Sequence, residues 1–318
     1  MNRRLIEVAA VSGALLLFLA LVLSWPDPDP APDQPSDPTS GALPDPTLPP
    51  APTPPSGTPL PSPSGPGGPA PSCVDLGDAA RLTVLTFNIH GGFTAEDRYD
   101  LARIAAEIEA WRADVVLLQE VDRGRSRSGG ADQAAQLGAR LGMSSVFGPN
   151  IRSGGGQYGT AILSRFPIVS WAHQLLPRYA GQEQRGVLRA TVQLLDQRID
   201  VVNVHLEHTS SDVRVAQMRA VKKFIGPAVR PVVLGGDFND PPGTRSVRLG
   251  LAGMQDTWPA VGSGDGDTVP AASPRRRIDY LLVSPQLTPT AAQVLRSAIS
   301  DHRAVRGEYD VQRPDGCD

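Results

Sequence analysis

PVVLGGDFND, residues 231–240, decides how the rest of the chain is read. It opens as a buried strand, with Val232, Val233 and Leu234 forming a short apolar run. Gly235 and Gly236 follow, where a backbone can turn tightly or pass close to a ligand. Asp237 and Asn239 then flank Phe238. Alternation along an extended chain puts Asp237 and Asn239 on one side and Phe238 on the other. A carboxylate and a carboxamide are thereby aimed out of the C-terminal end of a central strand, the usual place for a site in an α/β fold. Asp, Asn, Pro and Gly also form turns, so a plain Asx turn is the competing reading.

The neighbouring segments support a site. Upstream, Ile199–Leu206 reads as a strand carrying Asn203 and His205 on one face. A helix capped at Ser211 or Asp212 runs to about Ile225. Downstream come a short helix near Ser246–Leu251 and a Gly-, Ser- and Pro-rich loop to Arg277. Ile278–Val283 is then a strand with Asp279 near its start, and Ser300-Asp301-His302 precedes a last strand, about Arg303–Tyr309.

The same rhythm holds toward the N-terminus. Arg81–Ile89 alternates like a strand and ends in Asn88. Leu101, Ile104, Ala105, Ile108 and Trp111 fall at helical spacing and cover a sheet. Asp114–Gln119 is a second buried strand with Glu120 at its end, followed by a helix near Ala131–Leu141. Gly159–Arg165 and Val187–Leu195 complete the strands. Strands and helices alternate without a fixed repeat, which is an α/β pattern.

Three regions divide the chain. Residues 1–25 carry Arg3 and Arg4, then a 19-residue apolar stretch, Leu5–Leu23, whose one charge is Glu7. At about 1.5 Å per residue this is enough for one bilayer crossing. The arginines before it and Asp27 and Asp29 after it place the N-terminus inside and the remainder outside. A cleaved signal peptide is the alternative, and it exports the same remainder. Residues 26–72 hold 19 of the 32 prolines and no apolar period, which makes them a spacer without a core. Residues 73–318 are long enough for a single α/β domain.

The chain carries a net charge of −3, and the five aspartates of the spacer account for it, so the domain is close to neutral. A dedicated nucleic-acid binder is usually strongly basic. Cys73 and Cys317 stand at the two ends of the domain. In an exported chain such a pair is expected to form a disulfide, with free thiols as the alternative.

Polar residues recur at strand ends: Asn88, Glu120, His205, Asp237, Asn239, Asp279, Asp301 and His302. Singly they are caps or turns. Together they hold the parts for metal-assisted phosphoryl hydrolysis. Hard oxygen donors on Glu120, Asp301 and Asn88 suit Mg²⁺, or Mn²⁺, rather than zinc. A histidine with a carboxylate partner acts as, or orients, a general base. A carboxamide beside a carboxylate can bind a phosphate oxygen while the acid positions water.

TFNIH, LQEVD, YGTAILSR, NVHLEH, GGDFND, RIDYLLV and SDH occur here in order. In order and spacing they resemble the motifs of the endonuclease/exonuclease/phosphatase superfamily, over about residues 81–310. The resemblance implies a four-layer α/β sandwich of two packed mixed sheets flanked by helices. It implies Glu120 as central metal ligand, helped by Asn88 and Asp301. It implies His302 as base or transition-state stabiliser, oriented by Asp279, and Asp237 as the group that positions the attacking water. Asn239 and His205 would hold the phosphate, with Tyr158 bordering the site. His90 lies within reach of a substrate on this reading, and His173 and His208 are expected to be surface or structural. Arg275-Arg276-Arg277 either meets a substrate phosphate or is a solvated loop.

The family machinery serves very different phosphoesters. Three readings follow: a phosphodiesterase or phosphatase on a lipid head group or small phosphoester, an extracellular nuclease on DNA or RNA, and a non-catalytic binding module. Near-neutral charge and the apolar N-terminal segment favour the first. No proposed catalytic position is replaced, which disfavours the third.

Overall fold

The structure, a computed structural model, describes residues 80–312 except residues 95 and 298. The apolar segment, the spacer and both cysteines, with the membrane crossing and disulfide expected of them, lie outside the described residues. Among the described residues no helix is long and apolar enough to cross a membrane.

Two six-stranded mixed sheets face each other. The first is ordered β11 (Leu287–Leu295), β12 (Ala304–Val311), β1 (Ala80–Asn88), β2 (Val115–Arg123), β4 (Gly156–Ser164), β3 (Ser144–Ser153). The second is ordered β5 (Ile168–Leu175), β6 (Gly186–Leu194), β7 (Gln197–His205), β8 (Val232–Asp237), β10 (Asp279–Val283), β9 (Gln255–Asp256). Helices α1 (Leu101–Ala110) and α2 (Gln133–Leu141) cover the first sheet, and α3 (Ser211–Ile225) and α4 (Arg245–Leu251) the second. A short α5, Thr257–Val261, lies within the segment expected to be loop.

Alternation divides the apolar residues among three cores. Leu82 and Val84 of β1, Val115 and Leu117 of β2, Val201 of β7, Val233 of β8 and Leu281 of β10 pack between the sheets. Their sequence neighbours point outward. Leu85, Phe87, Val116 and Leu118 meet Ile104, Ile108 and Leu137 of α1 and α2. Val202, Val204, Leu234 and Leu282 meet Met218 and Val221 of α3. Burial on both faces makes these strands read as apolar runs.

The four strands that pattern reading left out, β3, β5, β9 and β11, are the outer strands of the two sheets. Edge strands are half-buried and tolerate proline, so their signal is weak. β3 contains Pro149 and β11 contains Pro289, each beside a shift in strand register.

Two backbone features prepare the site. Both glycines of GGDFND lie inside β8 rather than in a turn. A Cβ on Gly236, whose φ is 133°, would fall 1.9 Å from the Val204 carbonyl oxygen, so close packing against β7 requires glycine there. In addition, β2 does not end at Glu120 as expected but runs on to Arg123. Register shifts between Leu118 and Val121, and Glu120 takes a φ of 58°. Val116, Leu118 and Val121 all pack on the helix side. The bulge at Glu120 therefore releases this carboxylate from the alternation that would bury it under α1 and α2.

Candidate active site

The inward positions that fill the inter-sheet core with aliphatic side chains turn polar at one end of the strands. His205 of β7 pairs in register with Asp237 of β8, and Asp237 pairs in register with Asp279 of β10. One row of three adjacent strands thus carries an imidazole and two carboxylates, all buried. On the facing sheet Asn88 ends β1 beside Gln119 of β2.

Below this row the sheets are joined by a polar rivet. Gln119 Nε2 donates to Asn203 Oδ1 at 2.8 Å and to Thr86 Oγ1 at 3.0 Å. Asn203 Nδ2 donates to the carbonyls of Leu118 and Ala161, both at 2.8 Å. Every member is buried, so the network fixes the register of one sheet on the other.

Asn88 bridges two carboxylates. Its Nδ2 donates to Glu120 Oε1 at 3.1 Å and to Asp237 Oδ2 at 3.2 Å, and its Oδ1 accepts from the His90 backbone N–H at 3.1 Å. Ser300 Oγ donates to the Asn88 carbonyl at 2.6 Å and accepts from the His302 N–H at 3.1 Å, which brings Asp301 and His302 to the site.

Asp279 Oδ2 sits 2.9 Å from His302 Nδ1 and also accepts from Thr268 Oγ1 at 2.5 Å. His302 Nε2 then faces Asp237 Oδ2 at 3.7 Å. Burial pushes the His302 imidazole down, but the Asp279 and Asp237 carboxylates overcome it and raise it to about 10. Asp237 is raised to about 7, first by burial and then by the Asp279 charge, against the pull of His302. Both shifts run the same way: the site favours a proton on His302 and makes Asp237 more basic than an ordinary carboxylate.

His205 is the opposite case. Arg185, buried on the segment entering β6, donates from Nη1 to His205 Nδ1 at 3.0 Å. His205 Nε2 faces Asp237 Oδ2 at 3.5 Å. Burial, then the Arg185 charge, holds His205 well below its ordinary range.

Asn239 reaches the site by a turn. β8 stops at Asp237, and Asn239 takes a φ of 52° with its N–H donating to Asp237 Oδ1 at 2.8 Å. The extended alternation expected through Asn239 is corrected to an Asx turn. That turn still directs Asn239 into the same cavity.

The cavity, about 490 Å³, is lined by Glu120, Tyr158, His205, Asp237, Asn239, Asp301 and His302. Of the eight strand-end residues, Asn88 and Asp279 are set back behind these, holding Glu120 and His302. Burial and the Glu120 charge raise the Tyr158 phenol well above its ordinary value, so it stays protonated. His208, expected to be surface or structural, also lines the cavity. His173 pairs with Asn150 at 3.1 Å away from it, and His90 sits in a 3-10 turn, His90–Gly92. The arginine run splits: Arg276 lines the cavity, whereas Arg277 is buried against Asp256 at 2.8 Å. Arg185 and Thr268 had no signal in the sequence, because each acts through a partner distant in the chain, and Ser300 was legible only as part of SDH.

Asp237, Asp279 and His302 offer ligand atoms within 4.8 Å of one another. Within that group His302 Nδ1 is already taken by Asp279, and Asp237 already accepts from the Asn88 amide and the Asn239 N–H. Glu120 and Asp301 are carboxylates that face the cavity outside that group, as does Glu183, and Asn88 turns its Nδ2 toward Glu120. The carboxylate oxygens of Glu120 and Asp301 fit a hard divalent cation.

The sequence profile described as the Endonuclease/Exonuclease/phosphatase family matches residues 85–302. The Escherichia coli K12 protein called uncharacterized protein YbhP is 29% identical over 252 residues, covering 72% of this chain and 96% of that one. An endonuclease/exonuclease/phosphatase crystal structure from Beutenbergia cavernae superposes with a TM-score of 0.59 at 26% identity, covering 73% of this chain and 72% of that one. A Bacteroides thetaiotaomicron mannosyl-6-phosphatase superposes with a TM-score of 0.61 at 18% identity, covering 72% and 99%. The last comparison bears on the fold alone.

Proposed function

The chain belongs to the Endonuclease/Exonuclease/phosphatase family, and from that premise we propose that it is a Mg²⁺-dependent phosphoester hydrolase acting on a lipid head group or a small phosphoester. The observation that carries the reading is the row His205–Asp237–Asp279 with His302 closing on it, opening into the cavity that holds Glu120 and Asp301.

A divalent cation held by Glu120 and Asp301, with Asn88 beside them, would supply positive charge to the phosphoryl oxygens. The protein's own groups divide the remaining work. Asp237, as a carboxylate, orients a water against phosphorus and accepts its proton as the new P–O bond forms and the ester P–O bond breaks, the departing oxygen taking a proton from solvent. His302, charged and locked by Asp279, and His205, through Nε2–H, stabilise the negative charge that gathers on the phosphoryl oxygens. Asn239 and Tyr158 border the space for the substrate.

A concave cavity in a near-neutral domain suits a small phosphoester better than a duplex, whose binding surfaces are broad and basic. We further place the domain outside the cytoplasmic membrane, either tethered by residues 1–25 or released when they are cleaved. This rests on the charge bias around Leu5–Leu23 and is tested by protease accessibility in intact cells. The decisive assay presents the purified full chain and Mg²⁺ with sugar phosphates, inositol phosphates, phospholipids, sphingomyelin, DNA and RNA in parallel. Turnover of only DNA or RNA would replace this reading with a nuclease.

A further inference from the structure

His205 sits where families of this chemistry need a proton-handling or phosphate-holding group, yet its partner is a cation. A guanidinium carries only donors, so the 3.0 Å contact from Arg185 Nη1 obliges His205 Nδ1 to be the acceptor. The ring proton must then be on Nε2, the nitrogen turned toward Asp237 Oδ2. Arg185 is itself held in place: Nη1 lies 2.7 Å from Glu183 Oε1, and Nη2 donates to His208 Nδ1 at 3.2 Å. Both Arg185 and His205 are buried, so neither can turn away into solvent.

We propose that Arg185 is a positioning residue that locks His205 as a neutral Nε2–H donor and excludes it from proton transfer. A carboxylate in the place of Arg185 would do the reverse, fixing a proton on Nδ1 and drawing a second one onto the ring. The site therefore contains two histidines given opposite roles by opposite partners. Asp279 favours a proton on His302, while burial and Arg185 disfavour a second one on His205. A second imidazolium beside Arg185 and His302 would place three positive groups around Asp237, which would hold its carboxylate ionised and weaken it as a base. The charged and titratable groups facing His205 are Arg185, Asp237, His302 and His208, with Glu183 behind the guanidinium.

The inference deepens the hydrolase reading in its kinetic part, but its central test is independent of activity. The full chain is labelled with ¹⁵N in its histidines, and the His205 signals are identified from a His205→Gln spectrum. The expected result is one protonated Nε2 and one unprotonated Nδ1, unchanged between about pH 5 and 8. A protonated Nδ1, or a ring that takes a second proton in that window, overturns the proposal whatever the substrate proves to be.

Arg185→Gln shortens the side chain, withdraws the donor from His205 Nδ1 and removes the charge. His205 Nδ1 should then lose its obligate donor and the ring should populate both neutral tautomers, and kcat should fall by about a hundredfold with a smaller change in KM, as for a misplaced transition-state donor. Arg185→Lys keeps the charge and should retain the neutral ring. If Arg185→Gln is too unstable, the parent and Arg185→Lys spectra still decide the tautomer. A His205 ring that behaves identically in the parent and Arg185→Gln proteins also overturns the proposal. If no phosphoester is turned over but the tautomer is as stated, the functional reading fails and the positioning role stands.

Discussion

Asp237 and Asp279 lie directly opposite one another across β8 and β10, two buried carboxylates as cross-strand neighbours. Like charges opposed on a sheet are destabilising. The protein resolves this by giving Asp279 to His302 and Thr268, and by raising the Asp237 carboxyl to about 7. The strain is placed where a proton has to be taken up.

Asp237→Asn is therefore expected to stabilise the protein while abolishing turnover. A carboxyl raised from 3.8 to about 7 favours the fold below about pH 4, and that contribution is lost as pH rises through about 7. The gain from Asp237→Asn should be largest at about pH 8 and vanish below about pH 4. In a domain of this size each kcal/mol moves the melting temperature by about 2–4 °C, so thermal unfolding at the two pH values checks it.

His302 and Asp279 should behave as one unit. His302→Ala is expected to lower kcat by at least about a hundredfold. Asp279→Asn should cost somewhat less, and the double mutant little more than His302→Ala alone. The His302 pKa is raised from 6.5 to about 10, so its stabilising contribution is complete below about 6.5 and disappears as pH climbs through about 10. The stability difference between the parent and Asp279→Asn proteins should narrow over that interval. Additive kinetic losses would show that the two residues work separately.

Glu120→Gln should bring turnover down by on the order of a hundredfold or more and weaken Mg²⁺ binding by calorimetry. The amide is isosteric and leaves the bulge at φ 58° undisturbed, so unfolding is expected to be unchanged. Full activity of Glu120→Gln in chelator-treated buffer would remove the metal from the mechanism.

Asn203→Ala tests the rivet below the site. It takes the Asn203 amide from the Leu118 and Ala161 carbonyls in a dry interface, while Gln119 Nε2 keeps Thr86 Oγ1 and the Leu117 carbonyl. At about 1–3 kcal/mol for each buried group left unpaired, the expected loss is at least roughly 2 kcal/mol in urea unfolding. A loss near that of a surface substitution would mean the sheets keep their register without it.

The sequence was most legible where burial is most complete. Strands covered on both faces, such as Val115–Leu118 and Val232–Leu234, must be apolar throughout, and this shows in one dimension. The eight polar strand-end residues were legible for the converse reason: a polar residue at the end of an apolar run is conspicuous. The edge strands were not, because half-exposed strands tolerate proline and polar residues.

What the sequence alone determined is the list of chemical parts and the α/β alternation that carries them, since both follow from local pattern. Only the tertiary structure decided their states. Asp279 and His302 are 23 residues apart, Arg185 and His205 are 20 apart, and Ser300 and Asn88 are 212 apart. Whether a histidine is a cation or a neutral donor depends on which charge burial presses against it, and no spacing in the chain records that. Arg185, in GQEQRG, reads as an ordinary solvated arginine until the fold buries it against His205.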